Sequence, residues 1–98
     1  MKNSIEIQKI KEKIMPILKA HNVTKAGIFG SYARGEQKKN SDIDILVELD
    51  ENLSLFEVAR IKGLLEKALR RKIDLVEYNL IRKELRKYIL NDEIPIIR

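Results

Sequence analysis

Only thirteen residues separate two strand-like runs, Val23–Phe29 and Ile43–Leu49, and no other feature limits the topology so much. A parallel pair needs a crossover of a dozen or more residues, normally a complete helix. This interval must instead hold Gly30, a short helical stretch from Ser31 to Arg34, Gly35, and a polar segment from Gln37 to Ser41. The first two strands are therefore expected to run antiparallel. The second run is the clearest strand in the chain. Its Ile43, Ile45, Val47 and Leu49 fall on one face, and Asp44, Leu46 and Glu48 on the other.

Helical patterns surround this pair. Ile7, Ile10, Ile14 and Ile17/Leu18 recur at helical spacing, with Pro16 expected to kink or shorten the last turn. Ser54 and Glu57 have capping-box spacing and open a helix to about Arg70, with an apolar stripe of Leu55, Val58, Ile61, Leu65 and Leu69. Lys72–Glu77 reads as a third strand. A last helix begins at Asn79 or Leu80 and ends near Asn91, with Ile81, Leu85, Tyr88 and Ile89 on one side. Ile94–Ile97, around Pro95, is either a short edge strand or a docking tail. The sum is αβαβαβα. It predicts an α+β or α/β fold in which helices pack on a small mixed sheet, as one domain over residues 1–98.

Composition removes several kinds of chemistry. The 98 residues are 44% hydrophobic and 36% charged, enough apolar material for one core. There is no cysteine, which excludes disulfides, thiolate metal sites and cysteine nucleophiles. His21 is the single histidine, a poor basis for a histidine zinc site or a Ser-His-Asp triad. No apolar run approaches the roughly 18–20 residues needed to cross a bilayer. The opening segment MKNSIEIQKIKEKI is broken by charge and lacks the apolar region of a signal peptide. A cytoplasmic protein without a membrane partner is the expectation.

The net charge of +5 is unevenly spread. Met1–Ser41 carries nine bases and three acids, Asp42–Glu57 six acids and no base, and Val58–Arg98 eleven bases and six acids. A basic body around an acidic centre suits a metal-dependent site that handles phosphates. Taken alone, the same distribution fits a solvated surface better.

The informative stretch runs from Gly27 to Glu36, GIFGSYARGE, and continues at Ser41-Asp42-Ile43-Asp44. A strand that ends in glycine and turns into a helix presents free backbone N–H groups to an anion, and the Ser31 hydroxyl adds a donor beside Gly30. Asp42 and Asp44, two apart on a strand, project from one face. Two adjacent carboxylates repel and need water, a proton or a cation, and hard oxygen ligands favour Mg²⁺ or Mn²⁺. Asp74, in the apolar strand Lys72-Ile73-Asp74-Leu75-Val76, is out of pattern unless it faces solvent or a ligand. Glu77 competes with it but sits at the strand end. Each feature alone is common, and Gly-Ser is usually only a turn.

Together these residues resemble the DNA polymerase β-like nucleotidyltransferase superfamily, and more narrowly the minimal nucleotidyltransferases (MNT), along nearly the whole chain. The resemblance implies a polymerase β-like palm that uses Mg²⁺ (two ions, with Mn²⁺ as a substitute) and a nucleoside triphosphate, most simply ATP. A nucleoside monophosphate would pass to an acceptor hydroxyl with release of pyrophosphate. It further implies that Asp42 and Asp44 hold the triphosphate-bound metal and share a second ion with Asp74. Two ions roughly 3.5–4 Å apart stabilise both the entering and the leaving oxygen. By the same resemblance, Gly30 and Ser31 grip the terminal phosphates, and Arg34 meets the leaving pyrophosphate unless it pairs with Glu36 or another acid. Minimal nucleotidyltransferases are often partnered with a HEPN-type RNase toxin and act as antitoxins, moving AMP to a toxin tyrosine. That partner is expected here, within a hetero-oligomer or beside a homo-oligomer. A non-catalytic antitoxin, or a transferase acting on RNA or a small molecule through Arg82, Lys83, Arg86 and Lys87, are the alternatives.

Overall fold

The computed structural model describes residues 4–97. Helix α1 (Ser4–Ala20) leads to strand β1 (Lys25–Phe29), a one-turn helix α2 (Gly30–Arg34) and strand β2 (Ile43–Glu48). Helix α3 (Leu55–Leu69), strand β3 (Ile73–Glu77), a 3-10 turn (Tyr78–Leu80), helix α4 (Lys83–Asp92) and strand β4 (Ile94–Ile97) complete the order. The sheet order is β3-β2-β1-β4, antiparallel except for the parallel β2–β3 pair. The antiparallel β1–β2 pair is the arrangement that the short intervening segment requires. Ile94–Ile97 is an edge strand rather than a docking tail, and an edge is where a sheet tolerates Pro95.

One sheet face is closed by α1 and α3. Ile10, Ile14 and Leu18 from α1 and Ile61 and Leu65 from α3 are buried over Ala26, Ile28, Ile43, Ile45, Val47 and Ile73. The helix continues through Pro16 to Ala20. The His21 ring nitrogen Nδ1 then lies 2.8 Å from the Ile17 carbonyl. Asn22, at φ 58°, turns the chain, so Val23 caps the core and β1 starts only at Lys25. Ser54 opens α3 as expected, accepting the Glu57 N–H at 3.2 Å.

The second face holds what alternation alone misjudged. Leu46 shares the face of Asp44 and Glu48 yet is fully buried, because the 3-10 turn and α4 lie over that side, and Ile81 is buried there too. The last helix therefore begins at Lys83, not at Asn79 or Leu80, and none of its residues is buried. Leu85 and Tyr88, expected on one side with Ile81 and Ile89, are exposed, whereas Ile81 is buried. In α3 the stripe is likewise shorter than expected, since Leu55 projects into solvent beyond the sheet. Among the described residues, no helix is long and apolar enough to cross a membrane.

Candidate active site

The site is built where β1 ends beside the start of β2. Phe29 pairs with Asp44 in the antiparallel register, and Gly30 follows at φ 71°, a conformation that side-chain-bearing residues rarely adopt. A Cβ added at Gly30 would run into the Asp44 carboxylate. Bare backbone thus lies directly against an acid. Gly35, at φ 72°, stops α2 after a single turn, and the Glu36 N–H donates to the Ser31 carbonyl at 2.8 Å. Tyr32 is buried beneath this turn, and burial pushes its phenol pKa up. Ser31 stands half-buried beside Gly30.

The segment before β2 is pinned at both ends. The Lys38 N–H donates to Ser41 Oγ at 2.7 Å, the Ser41 N–H returns to the Lys38 carbonyl at 3.1 Å, and the Arg71 guanidinium donates to the Lys39 carbonyl. The Ile43 N–H then meets the Lys72 carbonyl at 3.0 Å, which locks the start of β2 against β3. Asp42 leaves this anchored turn exposed to solvent. In the parallel register Asp44 faces Asp74 directly, so their side chains share a sheet face on strands about 4.8 Å apart.

The electrostatics agree with this placement. Partial burial, then the Asp74 carboxylate, then Asp42, push the Asp44 pKa up to about 6, and Arg34 opposes the rise. All three aspartates named by the sequence pattern thus act on one point beside Gly30. Among the described residues, no three His, Cys, Asp or Glu side chains are drawn close enough to hold an ion as they stand. The chemistry of the aspartates suits a divalent cation: the donors are hard oxygens, and a cation among them would relieve the charge that raises Asp44.

Arg34 takes the acid-pairing alternative. Its Nε donates to Glu36 at 2.8 Å and Nη1 lies 3.7 Å from Asp92, while the side chain stays exposed. With Phe29, Gly30, Tyr88, Ile89 and Asp92 it lines a groove of about 210 Å³. Asp92, Tyr88 and Ile89 were not singled out by the sequence for this site. They arrive through the packing of α4 across the sheet, which local periodicity does not encode. The Tyr78 hydroxyl donates to Glu93, and Lys25 Nζ lies 4.6 Å from its ring centroid. A cavity of about 720 Å³ lies at the opposite end of β2 around Lys25, Glu48 and Tyr78, and none of the six expected site residues lines it. The aspartates combine charge with bare backbone, whereas the other hollow offers size alone.

Comparison with known proteins gives the family of the chain. Residues 12–98 match the family model described as polymerase beta, nucleotidyltransferase. A Methanocaldococcus jannaschii protein named for protein adenylyltransferase activity is 48% identical over 93 residues, covering 95% of this chain and all of the relative. Protein adenylyltransferase MntA of Thermococcus cleftensis is 36% identical over 93 residues, covering 87% of this chain and 94% of its own. Among solved structures, a minimal nucleotidyltransferase superposes with a TM-score of 0.80 at 32% identity, covering 92% of each chain. A chain of a toxin–antitoxin complex with AMP-PNP superposes with a TM-score of 0.75 at 27% identity, over 88% of this chain and 71% of that one.

Proposed function

Because this chain belongs to the polymerase beta nucleotidyltransferase family, we propose that it transfers AMP from ATP to a hydroxyl of a partner protein, acting as the antitoxin of a toxin–antitoxin pair. The favoured acceptor is a tyrosine of a HEPN-type RNase toxin. The adenylyltransferase names of its relatives and the AMP-PNP-bound toxin–antitoxin complex support this reading. The observation that carries it is the Asp44 carboxylate lying against the left-handed turn at Gly30, with Asp74 opposite it in the strand register and Asp42 close enough to raise its pKa.

Asp42, Asp44 and Asp74 would hold Mg²⁺, or Mn²⁺ in its place. Bound there, divalent cations would neutralise the polyphosphate and stabilise the entering and leaving oxygens. Gly30 and Ser31 offer backbone N–H groups and a hydroxyl to the terminal phosphates, and so bring the α-phosphate to the carboxylates. Among the described residues, the exposed Arg34 pairs with surface acids alone, so a phosphate oxygen can replace Glu36 or Asp92 as its partner. In the transfer, the acceptor oxygen bonds to the α-phosphorus and the bond to the β-phosphate oxygen breaks. Pyrophosphate leaves toward Arg34, and the acceptor proton passes to the exposed Asp74 carboxylate.

The test is incubation with Mg²⁺, α-labelled ATP and a HEPN-type partner, followed by inspection of both proteins for label. Label on the partner is expected, and EDTA or the pair Asp42→Asn and Asp44→Asn should abolish it. Transfer that persists in the double variant would refute the metal-site assignment.

A further inference from the structure

A separate hollow of about 140 Å³ opens beside Tyr32, and none of the six expected site residues lines it. Its apolar lining comes from Ile10 of α1, Ile43 at the start of β2 and Leu69 at the end of α3. Ile43 points to the sheet face that α1 and α3 cover, and Asp44, next along the strand, points to the opposite one. The hollow therefore lies on the other side of the sheet from the Asp44 carboxylate.

The remaining lining is charged. Glu6, Lys9 and Lys13 recur at three- and four-residue spacing along one stripe of α1, and Arg71 joins them from the turn between α3 and β3. Three bases thus meet one acid. Among the described residues, neither lysine nor Arg71 forms a salt bridge, and Glu6 accepts from the Gln37 amide at 3.0 Å. The Arg71 guanidinium uses one N–H on the Lys39 carbonyl and keeps others free. Tyr32 supplies the buried polar group. The residue is only 3% exposed, yet among the described residues its hydroxyl has no hydrogen-bond partner. Arg71 and Glu6 both act on that oxygen, which places it at the hollow, and burial keeps it protonated as a donor. A buried hydroxyl is costly to leave unpaired, and beside three bases the fitting acceptor is an anion.

We propose that this hollow binds a small phosphate-class oxyanion, held by Lys9, Lys13 and Arg71 and accepting a hydrogen bond from the Tyr32 hydroxyl. A tetrahedral phosphate offers oxygens to all four groups at once, and the guanidinium fork suits two of them. The space admits a single phosphate and falls short of the roughly 300 Å³ at which sites for larger organic ligands begin. A free anion therefore fits better than a nucleotide. Bound there, it would tie α1 to Tyr32 and, through Arg71, to the Lys39 turn that precedes Asp42.

The test needs neither nucleotide nor acceptor, so it stands or fails apart from the transfer reaction. Inorganic phosphate is titrated into the full chain without divalent cations, at an ionic strength fixed with chloride, and followed by amide NMR and melting temperature. Saturable shifts are expected at Lys9, Lys13, Tyr32 and Arg71, with a melting temperature that rises with phosphate and not with acetate. Lys9→Gln with Lys13→Gln, both exposed positions, should weaken binding about tenfold or more. Tyr32→Phe should weaken it about three- to tenfold, with native circular dichroism retained. Arg34→Gln should leave the shifts in place. Shifts confined to Gly30, Ser31 and Arg34 would overturn the proposal, because phosphate would then occupy the nucleotide site alone. So would an equal rise in melting temperature with acetate, or an affinity unchanged in both the lysine and the Tyr32→Phe variants. An RNA oligonucleotide that binds through these lysines where free phosphate does not would also overturn it.

Discussion

Asp44 carries the tension of the site in one side chain. Its folded pKa, about 6, stands above the usual carboxylate value near 4, so the native state keeps a proton that the unfolded chain has lost between those pH values. In the absence of divalent cations, stability must therefore fall as pH rises through that window. Above it, the repulsion from Asp74 and Asp42 is fully expressed. Asp44→Asn should abolish nucleotidyl transfer and yet raise the melting temperature of the metal-free protein at pH 7.5. Allowing for solvent screening at this partly open site, the gain is about 1 kcal/mol, or about 4–8 °C. The difference should vanish near pH 4, which a calorimetric series across pH would reveal. Gly30→Ala tests the backbone side of the same contact. The substitution places a Cβ at positive φ against Asp44 and should cost about 1–3 kcal/mol by denaturant titration, along with most of the transfer activity.

The elements show which parts of the sequence speak locally. Ser54 with Glu57 announced the start of α3: the Glu57 N–H donates to Ser54 Oγ, while the Glu57 carboxylate accepts from the Ser54 hydroxyl rather than from its backbone N–H. Ser54→Ala should therefore cost about 1 kcal/mol in denaturant unfolding, with transfer unchanged, because the cap lies at the far end of β2 from the aspartates. The short β1–β2 interval likewise foretold its own pairing, since chain length sets that geometry. Burial along α4 was not foretold. Its apolar spacing resembles that of a packed helix, yet Leu85 and Tyr88 face solvent, and whether a patterned face finds a neighbour depends on what lies across from it. Leu46 illustrates the converse: a residue on the polar side of an alternating strand became core because the 3-10 turn settled over it.

At the scale of the whole molecule, the candidate site was readable because its parts lie at the ends of elements whose order the sequence sets. Gly30 closes β1, Asp42 and Asp44 open β2, and Asp74 falls in the strand that a helical crossover returns parallel to β2. With α3 making that crossover, adjacency of the two aspartate-bearing strands follows the common pattern, since successive strands are neighbours roughly two-thirds of the time. The contribution of α4 was not readable. Asp92 reaches Arg34 from fifty-eight residues away, and Tyr88 and Ile89 complete the groove beside it. Contacts of that kind arise from tertiary packing and leave no local pattern. The central claim is that three carboxylates from two strands bind divalent cation and triphosphate as one unit. Titrating Mn²⁺ by electron paramagnetic resonance, with a nonhydrolysable ATP analogue present, measures this without depending on any acceptor. The account predicts nucleotide-dependent Mn²⁺ binding that Asp74→Asn weakens by about tenfold or more, the size of loss that even an outer-shell change brings. Equal Mn²⁺ affinity in wild type and Asp74→Asn would contradict it.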